Sequence, residues 1–210
     1  MLEFSNRHSY LSTIERICQP DYQPSTMDII RAPEKIDTLK ETNVSMDHLT
    51  AQFIEYNEDN ATKILFQFAG IQFCLFTVDL TCYDQYLDDR QNTNALQDRL
   101  SLLKAVSRSA YFAETIILLI LTNASAFANK LASSPLSTHF SDYGGGNDVA
   151  AAKKYILKCF RQVHRSDLVL FSHFYDYSDE QHHFGETAQF FTEALSAVSF
   201  MKGVGLGNVP

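Results

Sequence analysis

Glycines that precede a helix are the first pattern in this sequence that could bind a ligand. Gly144, Gly145 and Gly146 stand just before a predicted helix over Asp148–Arg161. A glycine loop that leads into a helix can bind an anion, because the first amides of the helix have no partner within it. A phosphate-binding loop also carries a lysine, in the pattern GxxxxGKS, and that pattern occurs nowhere in this sequence. We therefore expect the three glycines to form a turn rather than a phosphate site.

A short run of histidines and acids is a second candidate, in this case for a metal ion. Asp179, Glu180, His182 and His183 carry suitable ligand atoms. Side chains this close in sequence rarely converge on one ion, so a solvated acidic loop is the favoured interpretation. Serine, histidine and aspartate are all present, but no GxSxG pattern marks a nucleophile.

The cysteines lack the spacing of a metal-binding or redox motif. They are Cys18, Cys74, Cys82 and Cys159. Because no CxxC pair occurs, the sequence predicts free thiols, as in a reducing compartment.

Charge and hydropathy narrow the possible functions. A chain of 210 residues fits one domain, or one domain with a small appendage. A net charge of −8 provides no basic field for phosphates, so nucleic-acid binding is not expected. No apolar run in the sequence has the length of a transmembrane helix. The start Met1-Leu2-Glu3-Phe4 resembles neither a signal peptide nor a myristoylation motif, so a cytoplasmic location is expected.

Alternating strand and helix patterns predict the scaffold that positions these residues. Strands are predicted over Leu49–Tyr56, Ala61–Phe68, Phe73–Leu80, Ile116–Leu121 and Leu168–Tyr175, and helices over Asn94–Ser109, Asp148–Arg161 and Glu186–Met201. The continuous apolar run Ile116–Leu121 is typical of a parallel strand that is covered on both faces. Either Asn147 or Asp148 is expected to cap the helix that follows them. This order predicts right-handed βαβ units and a doubly wound α/β sheet.

The region before this sheet is harder to place. The polar stretch Met27–Asn43 is predicted to be a loop, and the turn residues Asn57–Asn60 separate the first two strands. Only four residues separate Ala61–Phe68 from Phe73–Leu80, whereas adjacent parallel strands need a crossover of about a dozen. These two runs are therefore expected to form an antiparallel hairpin or one long bent strand.

Several blocks of the sequence resemble the alpha subunit of heterotrimeric G proteins, Gα. The strand Ile116–Leu121 is followed at the family's spacing by matches to its SPLT, EYxGxN and AxxYI motifs. The matching residues are Phe127, Ser134–Ser137, Asp142, Tyr143, Gly145, Asn147, Tyr155 and Ile156. Further matches are Ser9–Ala32, Phe76–Leu87 and Phe171–Ser178.

The resemblance implies an incomplete Ras-like domain of the P-loop NTPase class. Its doubly wound sheet would lack the first strand, which the P-loop follows in that family, together with the switch II helix. Residues 1–26 would be a remnant of the Gα helical domain, residues 27–202 the Ras-like α/β domain, and residues 203–210 a flexible tail.

The resemblance also implies which residues occupy the catalytic positions. The catalytic arginine falls on Pro33 and the water-orienting glutamine on Ile71, and neither side chain can do that chemistry. Thr42 is the candidate for the Mg²⁺-binding threonine, with a solvated loop threonine as the alternative.

The guanine-reading positions are altered in the same way. The family's NKxD motif corresponds to Thr122, Asn123, Ala124 and Ser125, and its TCAT motif to Tyr175, Asp176, Tyr177 and Ser178. Ser125 lacks the carboxylate that pairs with guanine, and a bulky Tyr177 replaces a small alanine. A site built to hydrogen-bond one ligand edge loses several kcal/mol when a partner is removed.

These substitutions lead to a functional expectation. The chain is expected to be a Gα-like protein of receptor-coupled signalling that binds partners but has lost nucleotide binding and hydrolysis, a pseudo-GTPase. GTP or GDP with Mg²⁺, Gβγ and a G-protein-coupled receptor are implied by resemblance only, as is peripheral attachment to the plasma membrane through partners. The alternative is a fragment of a GTP-hydrolysing Gα, and an unrelated soluble α/β enzyme is the third possibility.

Overall fold

The computed structural model describes residues 14–25, 28, 40–46, 49–55, 71–87, 93–165, 167–176 and 185–196. It divides the chain into two compact units, Met1–Gln67 and Phe68–Pro210. The boundary that the sequence predicts at residue 26 stays a prediction.

The first unit contains a helical turn and a two-stranded hairpin. Helix α1 spans Ile14–Ile17, and strands β1 (Lys40–Met46) and β2 (Leu49–Glu55) pair antiparallel, with Lys40 opposite Glu55 and Thr42 opposite Phe53. The prediction of a loop through Asn43 is therefore wrong for residues 40–43. Their side chains are polar and exposed, so no apolar alternation marks this strand, and pairing with β2 supplies its backbone partners.

A hydrogen-bonded cluster orders the segment after α1. Arg16 donates to both carboxylate oxygens of Asp28, at 3.0 and 2.7 Å. The Asp28 carboxylate also accepts from the amide of Ser25, whose hydroxyl accepts from the amide of Asp28. These bonds hold the pKa of the Asp28 carboxyl well below its usual range.

The second unit is built on a parallel sheet in the order β3-β4-β5. These strands span Phe73–Asp79, Ile116–Thr122 and Leu170–Phe174. The helices are α2 (Ala95–Arg108), α3 (Ala124–Lys130), α4 (Leu136–His139), α5 (Val149–Val163) and α6 (185–196), with single 3-10 turns at Leu80–Asp84 and Ala110–Phe112. Helix α2 connects β3 to β4, and α3, α4 and α5 lie between β4 and β5, which confirms the partial Ras-like α/β fold.

The core of this unit lies on both faces of β4. All seven residues of β4 are buried, as its unbroken apolar sequence predicts. Ile116, Leu118 and Ile120 pack on one face against Phe190 and Ala194 of α6. Alternate residues of a strand point to opposite faces, and the alternate residues Ile117, Leu119 and Leu121 are fully buried as well.

Helix ends form where the sequence supplies capping side chains. Asn94 accepts from the amides of Leu96 and Gln97 at the start of α2, and Asp148 accepts from the amide of Ala151 at the start of α5. Asp148, rather than Asn147, is therefore the cap of α5. Such caps contribute ~1 kcal/mol each.

Several predictions fall outside the described residues, among them the turn Asn57–Asn60 and the tail 203–210. The strand predicted over Ala61–Phe68, and with it the hairpin or bent strand that would join it to β3, lies in residues 56–70. Among the described residues, no helix combines the length and the apolar character needed to cross a bilayer.

Candidate functional site

The carboxyl ends of the three parallel strands meet at one edge of the sheet, the edge where open α/β sheets bind ligands. The segment Asp79–Asp84, which we call the β3 corner, follows the first strand. The segment Thr122–Ser125, the β4 corner, follows the central strand, and Tyr175 and Asp176 follow β5. These three segments form the candidate site.

The β4 corner turns sharply from the strand into α3. The hydroxyl of Thr122 is buried and donates to the carbonyl of Val78 at 3.3 Å. Asn123 has φ 58° and ψ 40°, in the left-handed region, and is the only non-glycine residue with positive φ in the described part of the chain. Asparagine tolerates this conformation better than most residues, so it suits this turn.

A carboxylate from β5 closes the β4 corner. The amide of Ser125, in the first turn of α3, donates to Oδ2 of Asp176 at 2.5 Å. Asp176 is buried, with 5% of its surface exposed, whereas the side chain of Ser125 is exposed. A negative charge near a helix N-terminus is favourable, because the helix dipole and its unpaired amides face it. Asp176, which directly follows β5, thus caps α3 from a position 51 residues after Ser125.

The β3 corner is closed by local bonds and by one lysine. Oδ1 of Asp79 accepts from the amide of Thr81 at 2.8 Å and from its hydroxyl at 2.7 Å. Nζ of Lys130, at the end of α3, donates to Oδ1 of Asp84 at 2.5 Å and to the carbonyl of Thr81 at 2.9 Å. The lysine therefore connects the end of α3 to the β3 corner.

Two aromatic rings join the corners. Tyr83 of the β3 corner and Phe127 of α3 pack edge to face, with ring centroids 5.3 Å apart, and both are fully buried. The Tyr83 hydroxyl donates to the carbonyl of Ser134, and the Tyr83 carbonyl accepts from the side-chain amide of Asn94 at 2.6 Å. Burial raises the pKa of the Tyr83 hydroxyl, so it remains a neutral donor. The polar groups at this edge of the sheet are thus bonded largely to one another.

Comparison with known proteins assigns the chain to a family. The family pattern described as "G-protein alpha subunit" matches residues 2–192. The chain belongs to the G-protein alpha subunit family. It is 35% identical over 166 residues to the guanine nucleotide-binding protein alpha-3 subunit of Neurospora crassa. These aligned residues cover 78% of this chain and 47% of that protein.

Other fungal relatives agree with this assignment. The G-protein complex alpha subunit gpaA of Aspergillus fumigatus is 33% identical over 168 residues, covering 79% of this chain and 48% of the relative. The guanine nucleotide-binding protein alpha-1 subunit of Mycosarcoma maydis is 30% identical over the same shares. The chain therefore spans about half the length of the curated relatives that it matches.

The structure brings together part of the predicted Gα guanine site. Thr122, Asn123 and Ser125 share the β4 corner, and the amide of the half-buried Tyr175 donates to the carbonyl of Leu121 at 2.8 Å. Tyr175 also packs against the cluster of β4 and α6. Tyr177 and Ser178 lie outside the described residues.

The predicted catalytic and Mg²⁺ positions lie elsewhere in the chain. Thr42 belongs to the first unit, where it is exposed in β1 rather than in a loop. Ile71 belongs to the second unit, where it is half-buried just before β3, and its carbonyl accepts from the hydroxyl of Thr115 at 3.0 Å. Pro33 lies outside the described residues.

The glycine turn is packed at one of its three glycines. A Cβ atom on Gly145 would lie 2.5 Å from the hydroxyl oxygen of Tyr143, so that ring would have to shift to admit a side chain, whereas Gly144 and Gly146 have nothing within 4 Å. Asp148 already places a carboxylate at the start of the following helix, where an anion would otherwise bind. The turn that the sequence favours at these glycines therefore has a packing reason.

Metal and thiol chemistry find no support in the described part of the chain. It contains no group of three or more His, Cys, Asp or Glu residues placed to hold a metal ion, and the run from Asp179 to His183 lies outside it. The four cysteines are free. Burial raises the pKa of Cys74 to about 11 and that of Cys82 to about 12, so neither thiol ionises at neutral pH.

Sequence reasoning missed two residues that organise the site. They are Asp176, which caps α3, and Lys130, which joins α3 to Asp84. Both act on partners more than 40 positions away, beyond any local motif. The placement of Asp176 directly after a strand was the one available signal, because side chains at the carboxyl ends of parallel strands meet at one edge.

Proposed function

We propose that this chain is a Gα-like protein that acts by binding partners and does not turn over GTP. The observation that carries this proposal is the β4 corner. Ser125 stands where the family has its guanine-reading carboxylate, and its amide is bonded to Asp176. A serine hydroxyl cannot accept two hydrogen bonds from the guanine edge as a carboxylate does.

The phosphate end of the site supports the same conclusion. The sequence contains no GxxxxGKS pattern, whose amides and lysine hold the phosphates in this class. Proline at position 33 and isoleucine at position 71 carry no charge and no side-chain donor for phosphoryl transfer. Several independent parts of the reaction would have to be restored together.

The family assignment supplies the proposed partners. Gα subunits act with Gβγ and with G-protein-coupled receptors, and we propose both as partner classes of this chain. In that role it would be a cytoplasmic protein that reaches the plasma membrane through its partners. Nucleotide-independent capture of Gβγ by the purified chain is the expected result of a pull-down, and capture that requires added GDP would contradict the proposal.

A nucleotide titration tests the loss of GTP chemistry. We expect the full chain to give no saturable signal with a fluorescent GTP analogue and no phosphate release above buffer. The Neurospora crassa alpha-3 subunit, named as a guanine nucleotide-binding protein, is the positive control. Saturable binding that unlabelled GDP displaces would overturn the proposal.

A restored carboxylate sharpens this test. Ser125→Asp returns the family's acid to the β4 corner, and we expect it to leave the titration unchanged, because the phosphate-binding elements are still missing. If Ser125→Asp alone produces guanine-specific binding, then the missing carboxylate accounts for the loss of nucleotide binding. The proposal that the phosphate-binding elements are lost as well would then be wrong.

The second candidate is a fragment of a GTP-hydrolysing Gα. It is favoured by one observation, the match to only about half the length of the relatives. Sequencing the complete transcript distinguishes the two proposals. An upstream GxxxxGKS in frame with this sequence favours the fragment, and its absence favours the pseudo-GTPase.

A further inference from the structure

Helix α5 carries an unusual charge pattern for this acidic protein. The chain has a net charge of −8, yet the helix Val149–Val163 contains Lys153, Lys154, Lys158 and Arg161 and no acidic residue. Its buried stripe, Ala152, Ile156 and Phe160, faces the core. The opposite side is therefore cationic.

We define the basic face of α5 by five residues of this opposite side. They are Lys154, Leu157, Lys158, Arg161 and Gln162, which together line one open patch of the surface. Lys154, Lys158, Arg161 and Gln162 are exposed, and Leu157 is half-buried. Their spacing places them on neighbouring turns of one side of the helix.

No described carboxylate neutralises these cations. The salt bridges of the described residues pair other basic side chains: Arg16, Arg99, Lys130 and Arg165. The nearby acids are also engaged elsewhere, since Asp142 accepts from the Tyr155 hydroxyl and Asp148 caps the helix. Lys153 is left out of the face, because its ammonium lies over the ring of Phe174 at 5.2 Å. Arg161 donates one bond to the neutral hydroxyl of Ser172 at 3.4 Å, which does not compensate its charge.

Stability of the helix does not account for the pattern. Arg161 lies in the last turn, where a cation is favourable to the helix dipole. Lys154 and Lys158 lie before that turn, and like charges four residues apart destabilise a helix. Two unpaired lysines at this spacing thus need another reason.

We propose that the basic face of α5 is a docking surface for an acidic peptide segment of a partner protein. Carboxylates at helical spacing would pair with Lys154, Lys158 and Arg161, and an apolar side chain would contact Leu157. Charge complementarity selects this occupant. A membrane surface carries the same sign of charge, but its mobile headgroups have no fixed spacing that matches Lys154, Lys158 and Arg161.

A peptide-binding assay on the full chain tests this surface. The probe is a fluorescein-labelled synthetic peptide of about four helical turns, with Glu at i, i+4 and i+7 and Leu at i+3. We expect binding that weakens when salt rises from about 0.1 M to about 1 M, because the Debye length falls from ~10 Å to ~3 Å. A peptide with the same composition in scrambled order should bind less tightly.

Matched charge reversals locate the contact. Lys154→Glu with Lys158→Glu should weaken binding by at least about tenfold, since rim charges at complementary interfaces control encounter and pairing. Lys104→Glu with Arg108→Glu changes the net charge equally at exposed positions of α2 and should leave binding nearly unchanged. Circular dichroism checks folding, and the Lys→Gln pair replaces the Glu pair if the latter fails to fold.

Each of three outcomes would overturn the proposal. The first is no binding of the ordered peptide. The second is an equal loss from the α2 control, or equal affinity for the scrambled peptide, either of which indicates nonspecific attraction. The third is sedimentation with phosphatidylserine vesicles that requires Lys154 and Lys158, together with no peptide binding. None of these outcomes bears on nucleotide binding, so this proposal and the proposed function are tested separately.

Discussion

The β3 corner and the β4 corner perform the same structural task by different means. Asp79 closes its own corner by bonding to Thr81, two residues away. The β4 corner instead depends on Asp176, which arrives from β5 and bonds to the amide of Ser125. The local bonds of the β3 corner can form as soon as its own residues meet, although Lys130 also joins it, whereas the cap of the β4 corner requires the sheet to be assembled. The corner that would read guanine is therefore held by tertiary structure.

The largest expected effect comes from separating the two corners. Phe127→Ala removes the ring that packs against Tyr83 in a fully buried position and should cost ~3–5 kcal/mol of unfolding free energy through lost burial and a cavity. Urea denaturation of the second unit measures this loss. Leu75→Ala, at a side chain that is 47% exposed, is the control and should change stability by less than ~0.5 kcal/mol. Equal losses would mean that the aromatic pair does not join the corners.

Removing the distant cap should come next. Asp176→Ala takes away a charged acceptor from the Ser125 amide, and bonds to charged groups are worth ~1.5–3 kcal/mol. Asp176→Asn retains an uncharged acceptor and should lose less. Denaturation gives the two free energies, and hydrogen exchange at the Ser125 amide should accelerate in the alanine variant. Unchanged exchange would show that another group caps α3.

Removing the local cap should have a smaller effect. Asp79→Ala deletes a side chain that caps only the short 3-10 turn after β3, for which ~1 kcal/mol is typical. The same denaturation experiment compares it with Asp176→Ala. If the Asp79 variant is the less stable of the two, then the contrast between local and distant closure is reversed.

The smallest expected effect concerns the exposed carboxylate of Asp167. Arg165 donates to Asp167 at 2.6 and 2.5 Å, and this bond lowers the pKa of Asp167 to about 2 from its ordinary 3.8. A lowered pKa in the folded state adds stability above the ordinary value, and that stability is lost as pH falls through about 2. Because both side chains are substantially exposed, the effect on unfolding should be slight.

A carboxyl titration by NMR checks this last prediction. Asp167 should titrate well below its ordinary value, and Arg165→Gln should return it towards 3.8. If the pKa of Asp167 is the same in the Arg165→Gln variant, the ion pair does not persist in solution. In that case the exposed pair says nothing about the buried cap at Asp176.

The sequence predicted those elements whose cause is local. The apolar run of β4, the helix α2 and the helix α5 with its cap at Asp148 can each be recognised within a few turns of chain. The strand Lys40–Met46 escaped prediction because its exposed polar residues carry no period, and its partner β2 defines it. The family's positions at the end of β4 could be located because their match is local in sequence. The cap that Asp176 provides for α3 could not be predicted in this way, because its partner Ser125 is 51 positions away.

The site was predicted in part for a similar reason. Resemblance placed Thr122, Asn123 and Ser125 beside Tyr175, and the structure has them at the same sheet edge. The resemblance could not predict which hydrogen bonds the substituted residues form. A hydroxyl that faces Val78 and an amide that faces Asp176 depend on the three-dimensional environment of new side chains.

The carbonyl of Ile71 has a consequence for the segment before β3. It accepts from Thr115, and the next residue, Gln72, accepts from the amide of Ile116 through its own carbonyl. These two bonds tie the segment before β3 to the start of β4, 44 positions later in the chain. In GTPases the matching segment changes conformation when the γ-phosphate is lost. Here such a movement would have to break both bonds, which hold residues 71 and 72 to the start of β4.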